Sequence, residues 1–198
     1  MALPQPDPRL LAAARRGDER AFAWIVQTYQ EALRSYVYRL VGNRALAEDL
    51  TQEVFLRVYQ RLSGFRGQCQ FTTWLFQITK NRVLDELKAS DRRPVSPVAE
   101  VELHGNGVEP ADNGETIDAI WEAVSRLDLR LKMALLLRDV VGLSYLEIAE
   151  ALEVDIGTVK WRIFKARESV AATLTARDLA PQASRRTPAA AAAAAPAA

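Results

Sequence analysis

Ser144-Tyr145-Leu146-Glu147-Ile148-Ala149-Glu150-Ala151-Leu152-Glu153-Val154-Asp155-Ile156-Gly157-Thr158-Val159-Lys160-Trp161-Arg162-Ile163-Phe164-Lys165-Ala166-Arg167 holds two helix signatures with almost nothing between them. Ser144 and Glu147 form a capping box, in which the hydroxyl and the carboxylate each satisfy a free backbone N–H at a helix start. The short helix they open runs from Tyr145 to Leu152 and turns Ile148, Ala149 and Leu152 inward. After a brief turn, Asp155 caps a longer helix in which Val159, Ile163, Ala166 and Val170 recur at spacings of four, three and four. A short helix, a tight turn and a longer basic helix is helix-turn-helix geometry.

The far side of the second helix carries the chemistry. At about 100° per residue, Trp161, Phe164 and Glu168 project roughly opposite the Val159 stripe. Lys160 and Lys165 flank them, and Arg162 and Arg167 lie nearer the edges. One reading is a major-groove reader, with cations on phosphates or guanine edges and aromatics on thymine methyls. The other is a charged face packed on a neighbouring domain, with Trp161 and Phe164 as core.

Upstream, Leu129 to Val140 reads as a helix stopped by Gly142, and Ile117, Ile120, Trp121, Val124 and Leu127 as another. The first half is helical too. Asp18 is an N-cap for a long helix with Phe22, Ile25, Val26, Tyr29, Leu33, Val37 and Leu40 on one stripe, broken at Gly42-Asn43. Leu46, Leu50, Val54 and Val58 follow at steps of four, with Asp49, Gln52, Glu53 and Arg57 on the other face. Ser63 to Gln70 has two glycines and no period, so it reads as a loop before a third helix from about Phe71 to Lys88.

Prolines and glycines between Ala89 and about Glu115 oppose any helix there. The expected organisation is therefore all-α: two small helical domains, 9–88 and 117–176, joined by a flexible acidic linker, 89–116. A disordered Ala-rich tail, 177–198, completes the chain. The net charge of +1 conceals this division. Residues 9–88 carry 13 Lys/Arg against 8 Asp/Glu, and residues 89–118 carry 2 against 7.

Several function classes are excluded or weakened. Cys69 is the single cysteine, so neither an intramolecular disulfide nor a cysteine zinc site is available. The single histidine, His104, sits among Gly and Asn and reads as a solvated loop residue. No metal site, cofactor, Gly-rich phosphate loop or Ser/His/Asp set is expected, which argues against an enzyme. Met-Ala-Leu-Pro-Gln-Pro-Asp-Pro has neither the basic start nor the apolar core of a signal peptide. No apolar run approaches the roughly 20 residues of a membrane span. The expectation is a cytoplasmic protein with no membrane contact of its own.

Gly142-Leu143-Ser144-Tyr145, Glu147-Ile148-Ala149-Glu150, Gly157-Thr158-Val159-Lys160 and Ala166-Arg167 together resemble the fourth conserved region of bacterial sigma-70 family factors, specifically the extracytoplasmic-function (ECF) group. Ala47-Glu48-Asp49-Leu50-Thr51-Gln52-Glu53-Val54-Phe55-Leu56 resembles that family's RNA polymerase-binding segment. Phe65-Arg66-Gly67, Phe71-Thr72-Thr73-Trp74-Leu75 and Asn81-Arg82 resemble its segment for melting and −10 recognition. The resemblance covers about residues 10–88 and 117–174.

It implies promoter DNA and core RNA polymerase as partners, with an anti-sigma factor besides. Asp49, Gln52 and Glu53 would meet the polymerase, as exposed carboxylates and an amide suit a basic helix; an ordinary solvated face is the plainer alternative. Phe65, Gly67, Gln68, Phe71 and Asn81 would hold a flipped −10 base, with Arg66, Lys80 and Arg82 on phosphates. Trp74 reads as core, though it fits either role. Thr158, Lys160, Trp161, Arg162, Phe164 and Lys165 would read the −35 element. Three departures stand out: Glu153 where a left-handed turn favours Gly, at a cost of about 1 kcal/mol; Asp155 where the family often has Pro; and Trp161 where a small Ser is usual. The alternative is a conventional helix-turn-helix regulator with an N-terminal sensing or dimerisation domain, which would bind palindromic sites without polymerase.

Overall fold

The computed structural model describes residues 3–91 and 114–184, with side chains over 3–90 and 117–177. His104 and most of the expected 89–116 linker lie outside them. The described residues form eight α-helices and one 3-10 turn, with no strand. In the first half these are α1 (Pro8–Arg15), α2 (Glu19–Val41), α3 (Arg44–Arg61) and α4 (Phe71–Asp91), with the turn Leu62–Gly64 after α3. In the second they are α5 (Gly114–Ser125), α6 (Leu129–Asp139), α7 (Tyr145–Leu152) and α8 (Ile156–Ser184).

Short polar side chains set where most of these helices begin. Asp7, Asp18, Asn43 and Asp128 each accept a backbone N–H from the first turn of the helix that follows, satisfying a donor that has no partner within the helix. Gly42 ends α2 in the left-handed conformation at φ 72°, its N–H returning to the Tyr38 carbonyl. The 3.6-residue stripes then bury. Ile25, Tyr29, Leu33, Tyr36, Val37 and Leu40 of α2 face Leu50, Val54 and Val58 of α3 and Leu75 and Phe76 of α4. Tyr36 meets Phe76 edge to face, with ring centroids 5.3 Å apart.

The second set closes around Leu136, Leu137, Ile148, Val159 and Ile163. Both halves of the capping box form: Glu147 N–H donates to the Ser144 hydroxyl, and Ser144 N–H to the Glu147 carboxylate at 2.8 Å. Ser144→Ala should therefore lower unfolding stability by about 1 kcal/mol, read from urea melts of the full chain. Because Ser144 is exposed and lies outside α8, DNA binding of the folded protein should not change.

Two differences from expectation concern extent. Helix α8 continues to Ser184, so residues 177–184 are helical rather than part of a disordered tail; residues 185–198 lie outside the described set. Ala171, Ala172 and Ala176 are strong helix formers, and Arg177 donates to Glu122 of α5 at 2.6 Å. The two halves also pack on each other, α7 against α4 and α6 against α2, and their buried side chains form one continuous cluster.

Candidate nucleic-acid interface

The turn between α7 and α8 is built by Glu153, Val154 and Asp155. Glu153 adopts φ 57° and ψ 47°, the only left-handed non-glycine among the described residues. Val154 N–H donates to the Ala149 carbonyl at 3.0 Å and closes the end of α7. Asp155 caps α8 by accepting the Thr158 N–H at 2.7 Å and the Thr158 hydroxyl at 2.5 Å. Those two bonds, the side-chain one first, hold the Asp155 carboxyl below its ordinary pKa.

Buried Val159, Ile163 and Ala166 fix the rotation of α8, so Trp161 (57% exposed) and Phe164 (63%) point to solvent. Neither aromatic is core. Lys160 is exposed beside them and Arg162 half-buried. Two of the other cations are engaged: Lys165 pairs with Glu168 at 2.6 Å, and Arg167 reaches back to Asp139 of α6 at 2.6 Å. The Arg167 pair orients α8 against α6.

In the first half, Phe65 and Phe71 are buried and Trp74 is half-buried, all three in one aromatic cluster. Phe65 and Trp74 lie 4.9 Å apart between centroids, and Phe71 and Trp74 5.9 Å. Phe65 and Phe71 thus form the floor under the loop rather than its open wall, each buried against other aromatic rings. Arg66, Gly67, Gln68 and Asn81 remain exposed around that floor. Gly67 sits at φ 71°, where a side chain would be strained. The N-terminal segment, which carried no sequence signal, buttresses the loop's far end: Gln5 donates to Gln70 at 2.7 Å and to Thr72 at 2.6 Å.

Two expected phosphate ligands are engaged by carboxylates in this structure. Lys80 is 6% exposed and pairs with Glu153; Arg82 is 9% exposed and pairs with Glu53, and with Glu86 at 2.8 Å. Neither cation faces solvent in this conformation. A buried charge needs a partner, and carboxylates on neighbouring helices supply it.

Asp49, Gln52 and Glu53 do share the exposed face of α3, although Glu53 spends one oxygen on Arg82. Beside Gln52, the exposed Leu56 and Tyr59 join Phe22, Val26 and Phe55 in a groove of about 590 Å³. That apolar part was missed. Its signal was present: Gln52, Leu56 and Tyr59 follow one another at helical spacings of four and three.

The sequence matches the family model Sigma-70 region 2 over residues 25–93 and Sigma-70, region 4 over residues 117–170. It is 35% identical over 176 residues to the ECF RNA polymerase sigma-E factor of Escherichia coli, covering 83% of this chain and 92% of that one. The chain belongs to the ECF group of sigma-70 factors. The RNA polymerase sigma-H factor of Pseudomonas aeruginosa is 33% identical over 184 residues, covering 86% of this chain and 94% of that one.

Two solved structures share the fold. CnrH, in complex with the cytosolic domain of CnrY, has a TM-score of 0.67 at 24% identity, over 86% of this chain and 98% of that one. Bartonella quintana RpoE, in complex with the anti-sigma factor NepR, has 0.63 at 23%, over 79% and 98%. As an ECF sigma factor, the protein directs promoter-specific transcription initiation. Its α3, α4 and most of α2 fall within the region 2 match, which does not favour a conventional regulator with a sensing or dimerisation domain there. No described helix is long and apolar enough to cross a membrane.

Proposed function

We propose that this ECF sigma factor docks on core RNA polymerase through α3, with Asp49, Gln52 and Glu53 as the polar contacts. Residues 117–176 then form the unit that sets α8 on the −35 element, and residues 9–88 the unit that engages the −10 element. The observation that carries the reading is the exposed aromatic and cationic face of α8, held at the second position of a helix-turn-helix. Trp161 and Phe164 supply apolar contact to thymine methyls, Lys160 and Arg162 supply charge, and Thr158, oriented by Asp155, sits at the helix start. Arg66, Gly67, Gln68 and Asn81 offer the polar rim for an unstacked −10 base, with Trp74 at its edge.

The sigma factor catalyses nothing itself and works in the cytoplasm, where polymerase is. An anti-sigma partner is part of the reading, because the two proteins of like fold were each solved with such a partner or a partner's cytosolic domain. Co-purification of the full chain with core polymerase, then run-off transcription from a genomic fragment library, tests the whole. Failure to bind core overturns it.

Lys160→Ala should weaken −35 duplex binding by the holoenzyme and reduce the log–log salt slope by roughly one if Lys160 lies on a phosphate. A loss confined to one base position, worth about 1–3 kcal/mol, means direct readout instead. An unchanged slope and sequence preference removes Lys160 from the interface.

A further inference from the structure

Leu3-Pro4-Gln5-Pro6-Asp7-Pro8 lies upstream of the region 2 match, which begins at residue 25, yet it is folded against the candidate −10 loop. Prolines at 4, 6 and 8 lock φ and bias the residue before each of them toward extended backbone. Such a segment loses little conformational entropy on docking. Three contacts seat it: Pro6 is buried, Tyr29 of α2 donates its hydroxyl hydrogen to the Pro4 carbonyl, and Asp7 caps α1 by accepting the Arg9 N–H at 2.7 Å. Burial raises the Tyr29 pKa to about 12, so at neutral pH the hydroxyl keeps its proton and remains a donor.

The seated segment and α1 grip the loop at both ends. Before it, Arg15 Nη2 donates to the Ser63 carbonyl at 3.4 Å. After it, the Gln5 amide donates to Gln70 Oε1 at 2.7 Å and to Thr72 Oγ1 at 2.6 Å. Gln70 stands immediately before α4, where Ser, Thr, Asp or Asn would ordinarily cap the helix. Its side chain is turned to Gln5 instead. Thr72 is buried in the first turn of α4, and the Phe71 ring between them lies 5.4 Å from that of Tyr29. One tyrosine therefore supports both the floor of the loop and the segment beside it. Between the two ends, Arg66, Gly67 and Gln68 take no hydrogen bond among the described residues. Their position is inherited from the ends.

We infer that Leu3 to Pro8 is a brace that pre-sets the −10 loop, with Gln5 as its positioning residue and Tyr29 as its anchor. The inference rests on the proposed −10 reading by Arg66, Gly67, Gln68 and Asn81. Gln5 touches no base; it holds the polar rim in the geometry that receives one. A loop free to take other shapes binds more weakly, in proportion to the time it spends competent. It also distinguishes bases less well, because its donors are no longer aimed.

The test uses the full chain with Gln5→Ala or Tyr29→Phe, each of which removes one donor group. Cys69, half-buried within the loop, is a built-in probe that needs no DNA. Its rate of reaction with a soluble aromatic disulfide should rise in both variants by roughly five- to tenfold, the factor to which one or two such hydrogen bonds convert. In the holoenzyme, 2-aminopurine stepped through the −10 element reports base capture by its fluorescence. Capture should weaken by a similar factor and the preference between bases should narrow, while core binding and −35 duplex binding hold. An unchanged thiol rate in either variant overturns the brace. A raised thiol rate with unchanged capture overturns its part in −10 reading, and equal losses at −10 and −35 show a general structural role instead. Asn81→Ala controls the underlying reading: if it leaves capture intact, that reading fails, while the thiol rates still decide the brace.

Discussion

Ile163→Ala is expected to remove −35-dependent transcription almost completely and to destabilise the second helical set by about 2–5 kcal/mol. Ile163 is 1% exposed and stands on the inner stripe of α8 between Val159 and Ala166, against α6 and α7. Truncation leaves a cavity in a small core, and the whole stability of such a unit is on the order of 5–15 kcal/mol. The same side chain sets the rotation of α8 and hence the direction of Trp161 and Phe164, so loss of packing is loss of reading. Trp161→Ala is the contrast: its side chain is exposed and outside the core cluster, so the urea midpoint should hold while promoter preference changes. Circular dichroism melts and run-off transcription on a promoter panel read both. An Ile163→Ala protein that melts with the parent and still initiates would show that α8 is not seated by this stripe.

The contrast shows what a sequence can carry. Periodicity identified the inner stripe, and a rotation of about 100° per residue placed Trp161 and Phe164 opposite it, which is where they are exposed. The capping box and the Asp18 and Asp155 caps were legible for the same reason: they depend on residues three positions apart. Glu153 in a left-handed turn was legible as a cost, since one residue type in one backbone conformation is a local matter.

What escaped was long-range. Nothing near Lys80 in the chain announces that Glu153, 73 positions on, will bury it, and a cation beside Asn81 reads naturally as a phosphate ligand. The burial of Phe65 and Phe71 was not legible either, because an aromatic in a glycine-rich loop can wall a base or floor the loop. Trp74 of α4 stacks beside Phe65, and Tyr29, which reaches Phe71 from α2, is distant in the chain. Helix α8 outran its expected end because alanine carries no stripe, so its helix had no visible reason to continue without Arg177 on Glu122.

Arg82 is where this limit has the largest measurable consequence. Arg82→Ala should cost about 3 kcal/mol of unfolding free energy, the low end of the range for removing one partner of a buried ion pair. Its guanidinium joins α3 to α4 through Glu53 and bonds Glu86 one turn along α4. The Glu86 side chain is largely buried, while 47% of Glu53 stays in water, which keeps the cost at that low end. Arg82→Lys should recover only part, because one ammonium cannot reproduce a fork that reaches two carboxylates.

The pH dependence has a definite sign. The hydrogen bond from Arg82, ahead of its coulombic pull, holds the Glu53 carboxyl below its ordinary value. That contribution is fully present above the unfolded pKa of about 4.3, and it is lost as pH falls through the lower, folded value. The parent should therefore lose melting temperature on acidification below about pH 4.3. In Arg82→Ala, Glu53 loses the bond that lowers its pKa, so acidification should cost less. Thermal melts from neutral to acid pH separate the two proteins. If instead Arg82 serves chiefly as a phosphate contact, its alanine variant will melt with the parent at every pH and weaken only the −10 strand.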